Sequence, residues 1–265
     1  PDNDSRVTIP LFDVDAALAD KHAEDTNSPR CKSLTKLTRT HANRPLSLAT
    51  RAHLSALAKL KAQQPNCGNA LAHLRRQLAL SLCAEPPILR WSPLLLDGPP
   101  GVGKTYFAQA LATALKCSLT VINCASITSG FVLAGSSPSW GNSRPGRIFE
   151  TLRDSDNANP IILLDEIDKL TGDYRYDGYG PLYQLLEPDT ARRFVDEHIS
   201  LPMDASHILW LATSNNPYTL PEPIRSRFEA IEITPPKSTD MDAVVRSIYR
   251  SLRRRNVGWE HAFAE

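Results

Sequence analysis

The chain has 265 residues, 42% of them hydrophobic, which is enough for one large domain or two small ones. Its 30 Lys and Arg against 29 Asp and Glu leave a formal charge of +1, so no global field draws it to nucleic acid or an anionic membrane. No apolar run approaches the ~20 residues of a membrane helix, and the acidic start, PDNDSRVTIPLFDVD, resembles neither a secretory nor a mitochondrial leader.

Residues 1–45 are polar with weak periodicity and read as an N-terminal arm, largely extended, with one short helix over 13–23. Residues 46–90 read as a helical segment. Leu54, Leu57 and Ala58 recur at helical spacing in 47–65, where Pro65 ends the pattern, and Leu71, Leu74 and Leu78 do so in 69–82. From 91 to 236 short apolar runs alternate with helical stretches: LLL (94–96), LTVIN (119–123), IILL (161–164), ILWLAT (208–213) and AIEI (230–233). Buried strands separated by helices predict an α/β fold, a parallel five-stranded sheet with helices on both faces. Residues 237–265 begin with a predicted helix over 241–256, whose apolar stripe is Val245, Ile248, Tyr249 and Leu252. The five cysteines, Cys31, Cys67, Cys83, Cys117 and Cys124, contain no C-x-x-C pair. They read as free thiols of a reducing, cytoplasmic compartment rather than as a zinc site.

GPPGVGKT, Gly98 to Thr105, fits G-x-x-x-x-G-K-[ST] between a predicted strand and a predicted helix over 105–116. Gly98, Gly101 and Gly103 allow the backbone, with Pro99, Pro100 and Val102, to wrap a phosphate so that successive N–H groups face it. The helix N-terminus, opened by Lys104, Thr105 and Tyr106, adds partial positive charge. Lys104 is expected at the β- and γ-phosphates and the Thr105 hydroxyl on Mg²⁺. IILLDEIDK (161–169) ends a buried strand in Asp165 and Glu166, at the sheet edge where ligands bind. Asp165 is the expected second Mg²⁺ residue and Glu166 the group that polarises the attacking water. Asp168 and Lys169 read as capping or decorating the next segment. The expected cofactors are ATP and Mg²⁺.

Together these pieces resemble the AAA+ ATPases, a P-loop NTPase family, and within them the ATPase module of Lon-type proteases. The resemblance runs through LLLDGPPGVGKT, PGRI (145–148), LLDEIDK, LLEPD (185–189), FVDEH (194–198) and ATSNNPYTLPEPIRSRFE (212–229), roughly residues 92–235. It implies that Asn215 senses the γ-phosphate or the attacking water. It implies also that Arg227, or else Arg225, is an arginine finger reaching a neighbouring subunit, and that the chain works as a homo-oligomeric ring, a hexamer, on unfolded protein. Trp140, five residues before the Pro of PGR, falls where such sequences carry the aromatic that grips substrate in the ring's pore. The alternative is a Trp packed beneath its own loop. Here Gly141 and Asn142 follow Trp140, where the family usually has an aliphatic residue. A second loop, 171–180 with Tyr174, Tyr176 and Tyr179, is a candidate for the same pore.

No Ser–Lys peptidase signature occurs in the 265 residues, so peptide cleavage is expected of a separate peptidase, if at all. The chain stops one helix into what the resemblance implies is a helical lid, which reads as truncated or reduced. The Arg cluster 246, 250, 253, 254 and 255 keeps open an ATPase that acts on nucleic acid, and a nucleotide-dependent assembly switch is a third reading.

Overall fold

A computed structural model describes residues 7–127, 129–170 and 177–255. Strand β1 (Thr8–Pro10) is followed by helices α1 (Val14–Ala23) and α2 (Pro29–Thr38), then by β2 (Asn43–Pro45), which pairs antiparallel with β1. Helices α3 (Arg51–Gln63) and α4 (Gly68–Leu82) follow. The remainder runs β3 (Leu94–Asp97), α5 (Lys104–Leu115), β4 (Leu119–Asn123), α6 (Phe131–Ala134), α7 (Arg147–Asp154), β5 (Ile161–Asp165), α8 (Gly180–Leu185) and α9 (Pro188–Ala191). It closes with the hairpin β6 (Phe194–Val195) and β7 (Pro202–Met203), then β8 (Leu209–Ser214), α10 (Glu222–Arg225), β9 (Glu229–Glu232) and α11 (Met241–Arg255).

Five strands form one wholly parallel sheet in the order β4-β5-β8-β3-β9. The three inner strands are apolar at almost every position because side chains alternate between two buried faces. Leu94, Leu96, Ile161, Leu163, Leu209 and Leu211 face a cluster with α3, α4 and α5. Leu95, Ile162, Leu164, Trp210 and Ala212 face the opposite cluster, which also holds Phe149, Leu182 and Phe194. Each such side chain contributes about 1.5–3 kcal/mol by leaving water. The sheet is the expected one, with strand ends within a residue or so of the apolar runs.

The N-terminal arm differs from the expectation. It holds two helices and a strand pair rather than a mostly extended chain, and it packs on the body through Leu11, Phe12, Ala17, Leu34 and Leu37. Ser28 caps α2 by accepting from the Cys31 N–H, with Pro29 in the first turn. Cys31, Leu34 and Leu37 supply a short buried stripe that polar neighbours obscure in the sequence. The final helix also departs from its reading. Val245, Ile248 and Leu252 are exposed, and Ser247 is buried against the body, where the Tyr106 hydroxyl meets it. Among the described residues no helix is long and apolar enough to cross a membrane.

Candidate functional site

The loop 98–103 joins the C-terminal edge of β3 to α5, at the centre of the sheet. Gly98 is required by close approach, since a Cβ there would collide with the Ile233 carbonyl just past β9. Gly101 and Gly103 adopt φ of +83° and +96°, and a Cβ on either would meet nothing within 4 Å. The loop is therefore strained for L side chains, with open space beside Gly101 and Gly103.

Lys104 stands in the first turn of α5 and is 8% exposed. Its ammonium donates to the carbonyls of Gly98 (2.6 Å) and Pro99 (3.0 Å) and to Asn215 Oδ1 (2.8 Å). Burial lowers its pKa, while Asp97, Asp168, Asp165 and Glu166 pull it back up. Burial raises the Asp97 carboxyl against the opposing Gly98 N–H and Lys104 charge.

Asp165 ends β5 opposite Thr105. The Thr105 hydroxyl donates to Asp165 Oδ1 at 2.9 Å, and the Thr213 hydroxyl on β8 donates to the same atom at 2.7 Å. Thr213 Oγ1 also accepts from the Glu166 N–H at 2.8 Å. Glu166 sits in the left-handed region, φ 56°, a conformation that costs a non-glycine residue roughly 1–2 kcal/mol and that clusters at functional positions. Thr213 was invisible as a site residue in the sequence; its only signal was a hydroxyl near the end of an otherwise apolar strand. Asp168 departs from its reading as a decoration. Its side chain is fully buried, Oδ1 accepts from the Asn215 N–H at 3.3 Å, and Oδ2 lies 3.5 Å from Lys169 Nζ without a hydrogen bond.

A cleft of about 330 Å³ adjoins the loop, lined by Gln64, Asn66, Val102, Tyr106, Val244 and Ile248 among others. Asn66 Nδ2 donates to the carbonyls of Val102 (3.1 Å) and Thr234 (3.3 Å), which ties the α3–α4 connection to the phosphate loop. The Tyr106 hydroxyl lies 3.2 Å from Ser247 Oγ on α11, and both residues line the cleft. Asn66 carried no sequence signal, because its role comes from the packing of α3 and α4 against the loop.

Arg227 lies away from these groups in its contacts. It pairs with Glu187 at 2.8 Å and donates to the Pro223 carbonyl, beside a cavity of about 720 Å³ that includes Arg90 and Trp91. The Arg225 guanidinium sits over the Tyr218 ring at 5.5 Å. Trp140 occupies a tight turn, its N–H donating to the Ser137 carbonyl at 3.1 Å. Trp140 is 46% exposed as a residue, and its ring meets the Phe131 ring edge-on, centroids 4.9 Å apart. That is a braced aromatic at the surface, not one buried beneath its loop. Tyr174 and Tyr176 lie outside the described residues. Tyr179 is turned inward instead of toward a pore, its hydroxyl donating to the Ile167 carbonyl at 3.0 Å and its ring packed on the core.

Residues 94–236 match the family model for the "ATPase family associated with various cellular activities (AAA)". The chain belongs to this AAA family. It is 42% identical over 141 residues to the Lon protease of Chloroflexus aurantiacus, covering 53% of this chain and 17% of that protein. It is 36% identical over 140 residues to Lon protease 1 of Bacillus subtilis, covering 53% of this chain and 18% of that protein. The chain thus matches less than a fifth of these relatives' length, as a Lon-like AAA+ module. A cryo-EM reconstruction of Hsp104 in a closed state, with ATPγS and FITC-casein, superposes with a TM-score of 0.61 at 15% identity. That match covers 77% of this chain and 39% of the other, and it shares the fold.

Proposed function

We propose that this chain binds and hydrolyses ATP and, as one subunit of a hexameric ring, uses the energy to pull on or unfold protein. The observation that carries the reading is the grouping of Lys104, Asn215, the Thr105–Asp165–Thr213 hydroxyl–carboxylate cluster and left-handed Glu166 around an open glycine cradle. Mg²⁺ fits the site, because the Thr105 hydroxyl and Asp165 carboxylate are oxygen donors of the type it takes. Bound there, Mg²⁺ would neutralise charge on the β- and γ-phosphates.

In this reading the Lys104 ammonium exchanges its carbonyl partners for phosphate oxygens. The N–H groups of the 98–105 segment converge on the same phosphates, and the α3–α4 connection with α11 encloses the base in the adjoining cleft. Asn215, released by Lys104, turns its amide to the γ-phosphate or the attacking water. Glu166 accepts the water's hydrogen bond and polarises it. Arg227, with Arg225 as its alternative, stabilises transition-state charge in a neighbour's site. Trp140 presents a flat apolar face to an extended polypeptide. The casein in the Hsp104 structure and the protease names of the Lon relatives support a protein as substrate. The five free thiols fit a reducing, cytoplasmic setting.

The deciding experiment measures ATP turnover across a hundredfold range of protein concentration, alone, with unfolded casein and with DNA. The reading expects specific activity to climb with concentration and to be raised by casein. Turnover that is undetectable at every concentration, or raised by DNA alone, would overturn it.

A further inference from the structure

The segment that carries Trp140 leaves and rejoins the body at two glycines, Gly135 and Gly146. Gly135 has φ +81°, and a Cβ on it would collide with the carboxylate of Asp196. A Cβ on Gly146 would collide with the Leu133 carbonyl and the Gly135 nitrogen. The neck between them is closed by Ser136 N–H donating to the Arg144 carbonyl at 3.1 Å and Arg144 N–H donating to Ser136 Oγ at 3.0 Å. Directly against this neck lies Asp196, in the connection from β6 to β7, 1% exposed. Its Oδ2 accepts from the Gly146 N–H at 2.7 Å. Its Oδ1 accepts from the N–H groups of His198 (3.0 Å) and Ile199 (3.2 Å). The next residue fastens the other strand of the neck, Glu197 N–H donating to the Ala134 carbonyl at 2.7 Å.

The same connection is anchored from outside by the N-terminal helices. Ser33 Oγ on α2 lies 3.1 Å from His198 Nε2. The Arg30 guanidinium donates to the Ile199 carbonyl at 3.1 and 2.9 Å, and is itself held by Glu24 and Asp20.

We propose that Asp196 is the positioning residue of the Trp140 loop: its buried carboxylate grips the loop at Gly146 and fixes where the indole stands. The inference concerns the loop's geometry and stands whether or not Trp140 touches a substrate peptide.

The charge balance agrees. No cation forms an ion pair with Asp196 among the described residues. Burial pushes its carboxyl up to about 6, the three backbone N–H bonds only partly opposing it and the neighbouring Glu197 adding to it. Burial also raises Glu197 and lowers His198, whose ring faces Ser33, and the Arg30 charge, bonded to the Ile199 carbonyl, lowers His198 further. Because the folded value exceeds the ordinary 3.8, the folded chain holds a proton that the unfolded chain has lost in the window between them. The contribution of Asp196 to stability therefore falls as pH rises through that window. Opening the neck would expose the carboxyl and return it toward its ordinary value, so protonation favours the closed loop.

The test uses the Trp259→Phe protein, which leaves Trp91, Trp140 and Trp210, the first and last buried at 7% and 4% exposure. Acrylamide quenching of this protein, minus that of its Trp140→Phe counterpart, reports Trp140 alone. Asp196→Asn should raise Trp140 quenching about twofold at neutral pH by local opening, with a melting temperature equal to or above the parent's. Unchanged quenching in a folded Asp196→Asn protein would overturn the proposal. If that variant does not fold, the parent decides. A fall in Trp140 quenching as pH drops from about 7.5 to 5, centred near 6, supports the grip, because protonation favours the state in which the carboxyl is buried, and a flat or rising profile in the folded parent overturns it.

Discussion

Asp165 and Asp196 are both carboxylates at the ends of strands, yet their surroundings differ in kind. Asp165 is served by side chains, the hydroxyls of Thr105 and Thr213, next to a buried ammonium and an open glycine cradle. Asp196 is served by three backbone N–H groups and sits where added side-chain atoms would collide. Side-chain donors can rotate away and hand the carboxylate to a ligand, whereas backbone donors cannot leave without moving the chain. The first arrangement suits a binding site and the second a joint.

The sharpest way to test the site half of that contrast is Arg227→Ala. If Arg227 completes a neighbour's cradle, turnover should fall about 10³–10⁵-fold while ATP binding, measured by a fluorescent analogue, is retained. The Arg225→Ala protein is the comparator, and a larger loss there would move the finger to that residue. Next, Glu166→Gln should lower turnover about 10²–10⁴-fold with nucleotide affinity kept, read by a steady-state ATPase assay. Parental turnover would remove Glu166 from the chemistry.

Lys104→Ala tests whether the ammonium is held for a ligand. Losing a charge-assisted contact of about 1.5–3 kcal/mol should weaken ATP binding by about 10–100-fold, measured by calorimetry. A loss of melting temperature without a loss of affinity would instead make Lys104 a structural group like the anchors of Asp196. The smallest effect is expected at Trp140. Truncation to Ala removes one edge-on aromatic pair with Phe131, about 0.5–1.5 kcal/mol, or a few degrees of melting temperature in a chain of this size. Basal turnover should be unchanged while stimulation by casein disappears. A loss of basal turnover would collapse the separation between cradle and loop.

The sequence by itself determined the sheet, the glycine cradle and the acidic strand end, because each depends on neighbours within a few residues. Apolar runs of four or five residues are strands only if both faces are covered, and the glycine spacing of 98–103 is dictated by the backbone path it must follow. The inner α2 helix escaped because its buried stripe of Cys31, Leu34 and Leu37 is diluted by Lys, Ser and Thr, leaving only its start, the Ser28 cap and Pro29, as a local signal. Tertiary structure alone decided the rest. Thr213 meets Asp165 across 48 positions of sequence, Asn66 meets Val102 across 36 and Asp196 meets Gly146 across 50. These pairings follow from the strand order β4-β5-β8-β3-β9, which places β8 beside β5 and β3, and from the docking of the 194–203 hairpin and the N-terminal helices on the body. No local propensity encodes them. They arise from the hydrophobic faces that must be covered, and the polar groups then find partners among whatever the packing brings within reach.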